Sequence, residues 1–124
     1  MSLDRQMNLN PDFVNLFSEI TSKAAAASFP FVGLQNKNKA DEAAVNIMRN
    51  ELNQLDFRGR IVIGEGELDK APMLYIGEKV GNGIGEEIDL AVDPIEGTNF
   101  VANNLPGGIS VLAAAPKNCL LNAP

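Results

Sequence analysis

Gly59-Arg60-Ile61-Val62-Ile63-Gly64-Glu65-Gly66-Glu67 is the stretch where the chain changes its hydrophobic period. Three β-branched residues follow one another and stop at a glycine, the pattern of a short strand rather than a helix. Upstream the period is helical. Ala44, Ile47, Met48, Leu52 and Leu55 form one apolar stripe, which predicts a helix over 40–54 with Asp41 and Glu42 in its first turn. A polar connector, Gln35 to Lys39, separates it from an earlier helix. There Asn10 is the cap, Pro11 the first helical residue and Asp12 an acid near the positive end of the dipole. Phe13, Leu16, Phe17, Ile20 and Ala24 make its buried face, and Pro30 followed by Gly33 ends it.

Downstream the strand pattern continues. Met73 to Val80 is a predicted strand closed by Gly81-Asn82-Gly83, and Ile88 to Val92 is another that runs into Asp93. Ser110 to Ala115 and Cys119 to Leu121 read as a hairpin turning at Pro116-Lys117-Asn118. Two helices followed by strands, without repeated strand–helix alternation, predict an α+β fold: two N-terminal helices on a mostly antiparallel sheet. Residues 1–10 read as a tail and 11–124 as one domain. The 124 residues suffice for one modest core.

Composition removes several function classes. With no histidine, Ser-His-Asp and Cys-His catalysis and every zinc site built on imidazole are excluded. Cys119 is the only cysteine, which rules out an intrachain disulfide, suits a reducing, cytoplasmic setting and reads as a small half-buried residue near a turn. Any metal here must be held by oxygen, which points to magnesium, manganese or calcium. The formal charge of −6 and the lack of a Lys/Arg cluster argue against nucleic acid. No apolar run is long enough for a membrane span, so no membrane partner is expected.

Two acidic clusters follow predicted strands: Glu65 and Glu67 after Ile61-Val62-Ile63, and Asp93 and Glu96 after Ile88 to Val92. If those strands are neighbours, the carboxylates converge, and converging carboxylates require cations or shared protons. Spacing alone leaves two readings open. Both clusters could be solvated turns shaped by Pro and Gly, which spacing slightly favours, or they could form an oxygen-ligand site for divalent metal.

Asp93-Pro94-Ile95-Glu96-Gly97-Thr98 resembles the Asp-Pro-x-(Asp/Glu)-Gly-(Thr/Ser) motif of the inositol monophosphatase and fructose-1,6-bisphosphatase superfamily. The stretches 61–67 and 71–81, with Lys37-Asn38-Lys39-Ala40-Asp41 and Leu120-Leu121-Asn122-Ala123-Pro124, are similar to its class II bacterial enzymes. The resemblance implies hydrolysis of a sugar bisphosphate, of the fructose 1,6-bisphosphate 1-phosphatase type, by metal-activated water. It implies Mg²⁺ or Mn²⁺, two ions when the site is complete. Asp41 and Glu65 resemble ligands of one metal, Asp93 and Glu96 those of another, with the Ile95 carbonyl in support. Thr98 resembles the residue that orients the attacking water, Glu67 an auxiliary acid, and Lys37 a lysine near the site. Glu96, Gly97 and Thr98 would lie against the substrate phosphate.

The chain departs from the family pattern in reading Gly33-Leu34-Gln35-Asn36-Lys37 before the second helix, and in placing Pro30 within the first. Family enzymes are also much longer, so the chain reads as an N-terminal portion whose site is incomplete alone. A homo-oligomer is expected, through apolar surface that a longer chain would cover. The alternatives are an inositol-phosphatase-like specificity or a non-catalytic metal-binding, oligomerising module.

Overall fold

The computed structural model describes residues 9–66, 73–96 and 108–120. The chain opens with α1 (Asp12–Ser28), where the Asn10 side chain accepts the Asp12 N–H at 3.0 Å. The helix thus begins one residue later than expected, with Pro11 and not Asn10 in the cap position. Its apolar face is the expected one: Phe13, Phe17, Ile20 and Ala24 are buried. The helix passes into a 3-10 turn, Phe29–Phe31, at Pro30, which cannot donate to the helical ladder.

The second helix, α2 (Lys37–Asn53), begins three residues earlier than its apolar stripe suggests. Asn36 caps it by accepting the Lys39 N–H at 3.2 Å, a signal hidden within the polar connector. Asp41 and Glu42 therefore lie beyond the first turn. Ala40, Ala44, Met48 and Leu52 are fully buried along its inner face.

Four strands follow: β1 (Arg58–Ile63), β2 (Lys79–Val80), β3 (Glu87–Glu96) and β4 (Ile109–Pro116). They form one sheet in the order β2-β1-β3-β4. The outer pairs, β1 with β2 and β3 with β4, are antiparallel, and the central pair, β1 with β3, is parallel. The α+β class and the mostly antiparallel sheet are as expected. Both helices pack on one face, where Phe57 meets Phe13 and Phe17 edge-on at 6.0 and 5.8 Å between ring centres. Ile61, Ile88, Leu90 and Val92 complete this core. Asp89 belongs to the opposite face of β3, where it pairs with Arg60 at 3.4 Å and accepts the Asn118 N–H at 2.8 Å.

Three expectations need correction. The strand predicted over 73–80 exists only at Lys79–Val80. Before it, Leu74 at φ 54° and Gly77 at φ 93° turn the chain in left-handed conformations that no strand allows. The strand expected over 88–92 runs on to Glu96, so Asp93 and Glu96 lie within it rather than after it. An irregularity in the pairing between Asp93 and Glu96 absorbs Pro94, which has no N–H to give. Finally, Ile109–Pro116 pairs with β3. The turn at 116–118 is present, with Asn118 at φ 66° and the Cys119 N–H on the Pro116 carbonyl at 3.0 Å, but Cys119 and Leu120 are not strand and Leu121 lies outside the described residues. Cys119 sits in that turn and is exposed, not half-buried.

Candidate metal centre

Because β1 and β3 are adjacent and parallel, their C-terminal ends open at the same edge of the sheet, the usual ligand-binding edge of parallel strands. Ile63 faces Ala91 in the register. Continuing from that last pair, Glu65 lies two residues on, past the end of β1, and Asp93 two residues on, within β3. A β-bulge between Ile61 and Ile63 sets this phase. The upstream pairing of Ile61 with Leu90, continued without the bulge, would bring Glu65 level with Pro94 instead.

Asp41 reaches the same place from α2. Burial pushes the Glu65 carboxyl up, and the negative charges of Asp41 and then Asp93 add to it, from the ordinary 4.5 to about 7. Burial likewise raises Asp41 above its ordinary 3.8. The charges of Asp41 and Asp93 thus both act on Glu65, which brings these three acids into one region at the sheet edge. They are not closed around one point: among the described residues, no group of three or more Asp, Glu or Cys side chains is arranged to hold a metal ion.

The remaining predicted residues fall less fully into view. Lys37 is the first residue of α2, and Glu96 is the last of β3, paired through its backbone with Ile109. Ile95 is buried in the helix-side core. Glu67, Gly97 and Thr98 lie outside the described residues.

Gly64, just before Glu65, is where another part of the chain comes close. A Cβ on Gly64 would come within 2.2 Å of the Leu74 carbonyl oxygen. The bare backbone at Gly64 thus admits the protein's own 73–78 segment. Leu74 accepts the Glu65 N–H at 2.9 Å, and Gly66 accepts the Ile76 N–H at 2.8 Å. Glu78 is the residue that sequence reasoning missed. It is 4% exposed, pairs with Arg49 at 2.8 Å and accepts the Leu74 N–H at 2.7 Å. Only its place within the strand expected over 73–80 was visible, and nothing local marks it as buried.

The edge where β1 and β3 run parallel thus gathers acidic side chains, with the Glu65 carboxyl raised to about 7. Residues 11–124 match the family described as bacterial fructose-1,6-bisphosphatase, glpX-encoded, and the chain belongs to that family. It is 56% identical over 108 residues to fructose-1,6-bisphosphatase 1 class 2 of Escherichia coli (strain K12), covering 87% of this chain and 32% of that protein. It is 56% identical over 106 residues to the D-fructose 1,6-bisphosphatase class 2/sedoheptulose 1,7-bisphosphatase of Prochlorococcus marinus (strain MIT 9313), covering 86% and 32%. Against fructose-1,6-bisphosphatase class 2 of Haemophilus influenzae (strain ATCC 51907 / DSM 11121 / KW20 / Rd) the identity is 54% over 108 residues, covering 87% and 32%. The chain thus spans about a third of the length of these relatives. No helix among the described residues is long and apolar enough to cross a membrane.

Proposed function

We propose that this chain carries the metal-binding half of a phosphomonoesterase site that, at full family length, hydrolyses a sugar bisphosphate. The observation that carries the reading is the place of Glu65 just past the end of β1, beside the parallel β3 that holds Asp93, with burial and then the charges of Asp41 and Asp93 raising Glu65 to about 7. A carboxyl raised by burial and by the negative charge of two further acids suits divalent metal, and all-oxygen donors select Mg²⁺ or Mn²⁺. Asp41, Glu65 and Asp93 would hold the metals together with Glu96. Bound metal would supply the positive charge that activates water and neutralises the phosphoryl oxygens.

The protein's own groups do the rest. Glu65 would act as a ligand in its charged form, its proton passing to solvent, Thr98 would orient the attacking water through its hydroxyl, and Lys37 would add positive charge beside the phosphate. Glu67 serves as an auxiliary acid, and Glu96, Gly97 and Thr98 line the phosphate. The substrate class follows the relatives' names, which share fructose 1,6-bisphosphate, one of them adding sedoheptulose 1,7-bisphosphate. The chain alone would leave that sugar poorly positioned, and small misplacements cost phosphoryl transfer heavily. We therefore expect little or no turnover from the 124-residue chain, and self-association through its exposed apolar side chains Ile63, Ile109 and Val111.

Titration calorimetry tests the metal reading directly. Mn²⁺ should bind the chain with measurable heat and bind Asp93→Asn at least tenfold more weakly, since a ligand is lost. Equal heats from the two proteins would reject the assignment. In a full-length enzyme, Thr98→Ala should lower turnover far more than it raises KM. Unchanged turnover would remove Thr98 from the mechanism.

A further inference from the structure

Glu65 sits in a short glycine-flanked stretch, which by itself would hold a side chain only loosely. Its backbone is nevertheless tied on both sides to the 73–78 segment. The Glu65 N–H donates to the Leu74 carbonyl at 2.9 Å, and the Gly66 carbonyl accepts the Ile76 N–H at 2.8 Å. Upstream, the Gly77 N–H donates to the Ile61 carbonyl at 2.7 Å, and the Ile61 N–H donates to the Glu78 carbonyl at 2.9 Å. The segment acts as a splint along the end of β1.

The splint has an unfavourable shape that something must enforce. Leu74 is fully buried at φ 54°, a left-handed conformation that is costly for a bulky side chain. Glu78 supplies the enforcement. One carboxylate oxygen accepts the Leu74 N–H at 2.7 Å and the other accepts Arg49 Nε at 2.8 Å. A carboxylate accepts on both oxygens, so both donors are satisfied inside the fold. Arg49 belongs to α2, about two turns beyond Asp41. One buried carboxylate therefore links the helix that carries Asp41 to the loop that holds Glu65.

We infer that Glu78 is a positioning residue for the site: through Leu74 it fixes the backbone of Glu65, and through Arg49 it sets Glu65 against Asp41. The inference that this positioning serves metal binding rests on the reading proposed above. Glu78 touches neither metal nor substrate. Its role is that of an outer partner that orients a ligand, and losing such a partner typically weakens metal affinity about 10- to 100-fold.

Glu78→Gln is the informative change, because a glutamine offers one acceptor and one donor and so must fail one of the two bonds. Arg49→Gln is the companion variant; its side chain is 37% exposed, which leaves the fold less at risk. Amide hydrogen exchange on the metal-free 124-residue chain gives a readout independent of metal and activity. In both variants the Glu65 and Leu74 amides should exchange at least tenfold faster, while the Leu90 and Met48 amides keep their protection. Mn²⁺ titration of the same samples should then show about 10- to 100-fold weaker binding. Unchanged exchange at Glu65 in both variants overturns the positioning role, and so does an equal acceleration at every amide. Selective loss at Glu65 with unaltered Mn²⁺ affinity overturns its service to the metal. If the unmodified chain takes up no Mn²⁺, the metal reading fails by itself, and exchange at Glu65 still decides the positioning.

Discussion

At the scale of single residues, Glu65 has consequences that pH can expose. Its carboxyl is raised, so the fold favours the protonated form over the charged one. The stability this contributes is complete below about pH 4.5 and is lost as pH rises through about 7. Asp41, also raised by burial, adds a dependence of the same sign. The metal-free chain should therefore melt at progressively lower temperature across that window, and Glu65→Gln should flatten the dependence because an amide cannot ionise. Melting curves at several pH values decide this, and an undiminished slope in the variant would assign the effect elsewhere. Divalent metal should reverse the trend, since ligation requires the deprotonated form. Glu65 and Asp93 stood out in the sequence because acids beside predicted strand ends form a local pattern and the motif around Asp93 is specific, whereas Asp41, in a helix, stood out only through the family resemblance. Glu78 did not, because burial of a charged residue depends on a partner from α2 that no local pattern reveals.

At the scale of elements, the reading succeeded where periodicity was long and faltered where one side chain decides a boundary. Both helices were evident from their apolar stripes, yet α2 begins at Lys37 because Asn36 satisfies the Lys39 N–H. Asn36→Ala should cost about 1 kcal/mol of stability, as loss of a good cap typically does. Denaturant unfolding would measure it, and a change indistinguishable from zero would mean that the cap bond is not maintained in solution. The stretch 73–80 looked like a strand because its apolar residues are dense, while the left-handed Leu74 is imposed by a buried carboxylate four residues later. In β3 the proline looked like a terminator. The strand absorbs it through a pairing irregularity, and so Asp93 is held within a ladder rather than in a loop.

At the scale of the whole molecule, the chain's span of about a third of its relatives bears on how it behaves alone. Among the described residues β4 pairs only with β3, and no charged residue lies between Ile109 and Pro116. A long uncharged edge invites pairing with another chain. Ile109 and Val111 are exposed along it, and the buried Ser110 hydroxyl has no hydrogen-bond partner among the described residues. Light scattering should find the chain associated, and Ala113→Lys, at an exposed position on this strand, should shift it toward monomer because lysine blunts an edge. A monomer before the substitution would refute the expectation. The overall α+β arrangement was legible because order and periodicity determine it. The parallel partnership of β1 and β3 was not, since which strands become neighbours depends on long-range packing.

That parallel partnership also sets a timetable. Arg60 and Asp89, which face each other across it, are 29 residues apart in sequence, as are Arg49 and Glu78. Helices form from local contacts within microseconds or less, whereas pairing over such separations waits for loop closure. Asp41 is thus in place with its helix, but Glu65 and Asp93 meet only after the central strands have joined. If the central strands join after the folding barrier, the carboxylates begin to repel one another only on its native side, and a cation has nothing to bridge before then. Divalent metal should consequently slow unfolding and leave the folding rate nearly untouched, the mark of an interaction formed late. In stopped-flow kinetics with and without Mn²⁺, only the unfolding arm of the chevron should move, and a matching shift in the folding arm would place assembly of the acids before the barrier.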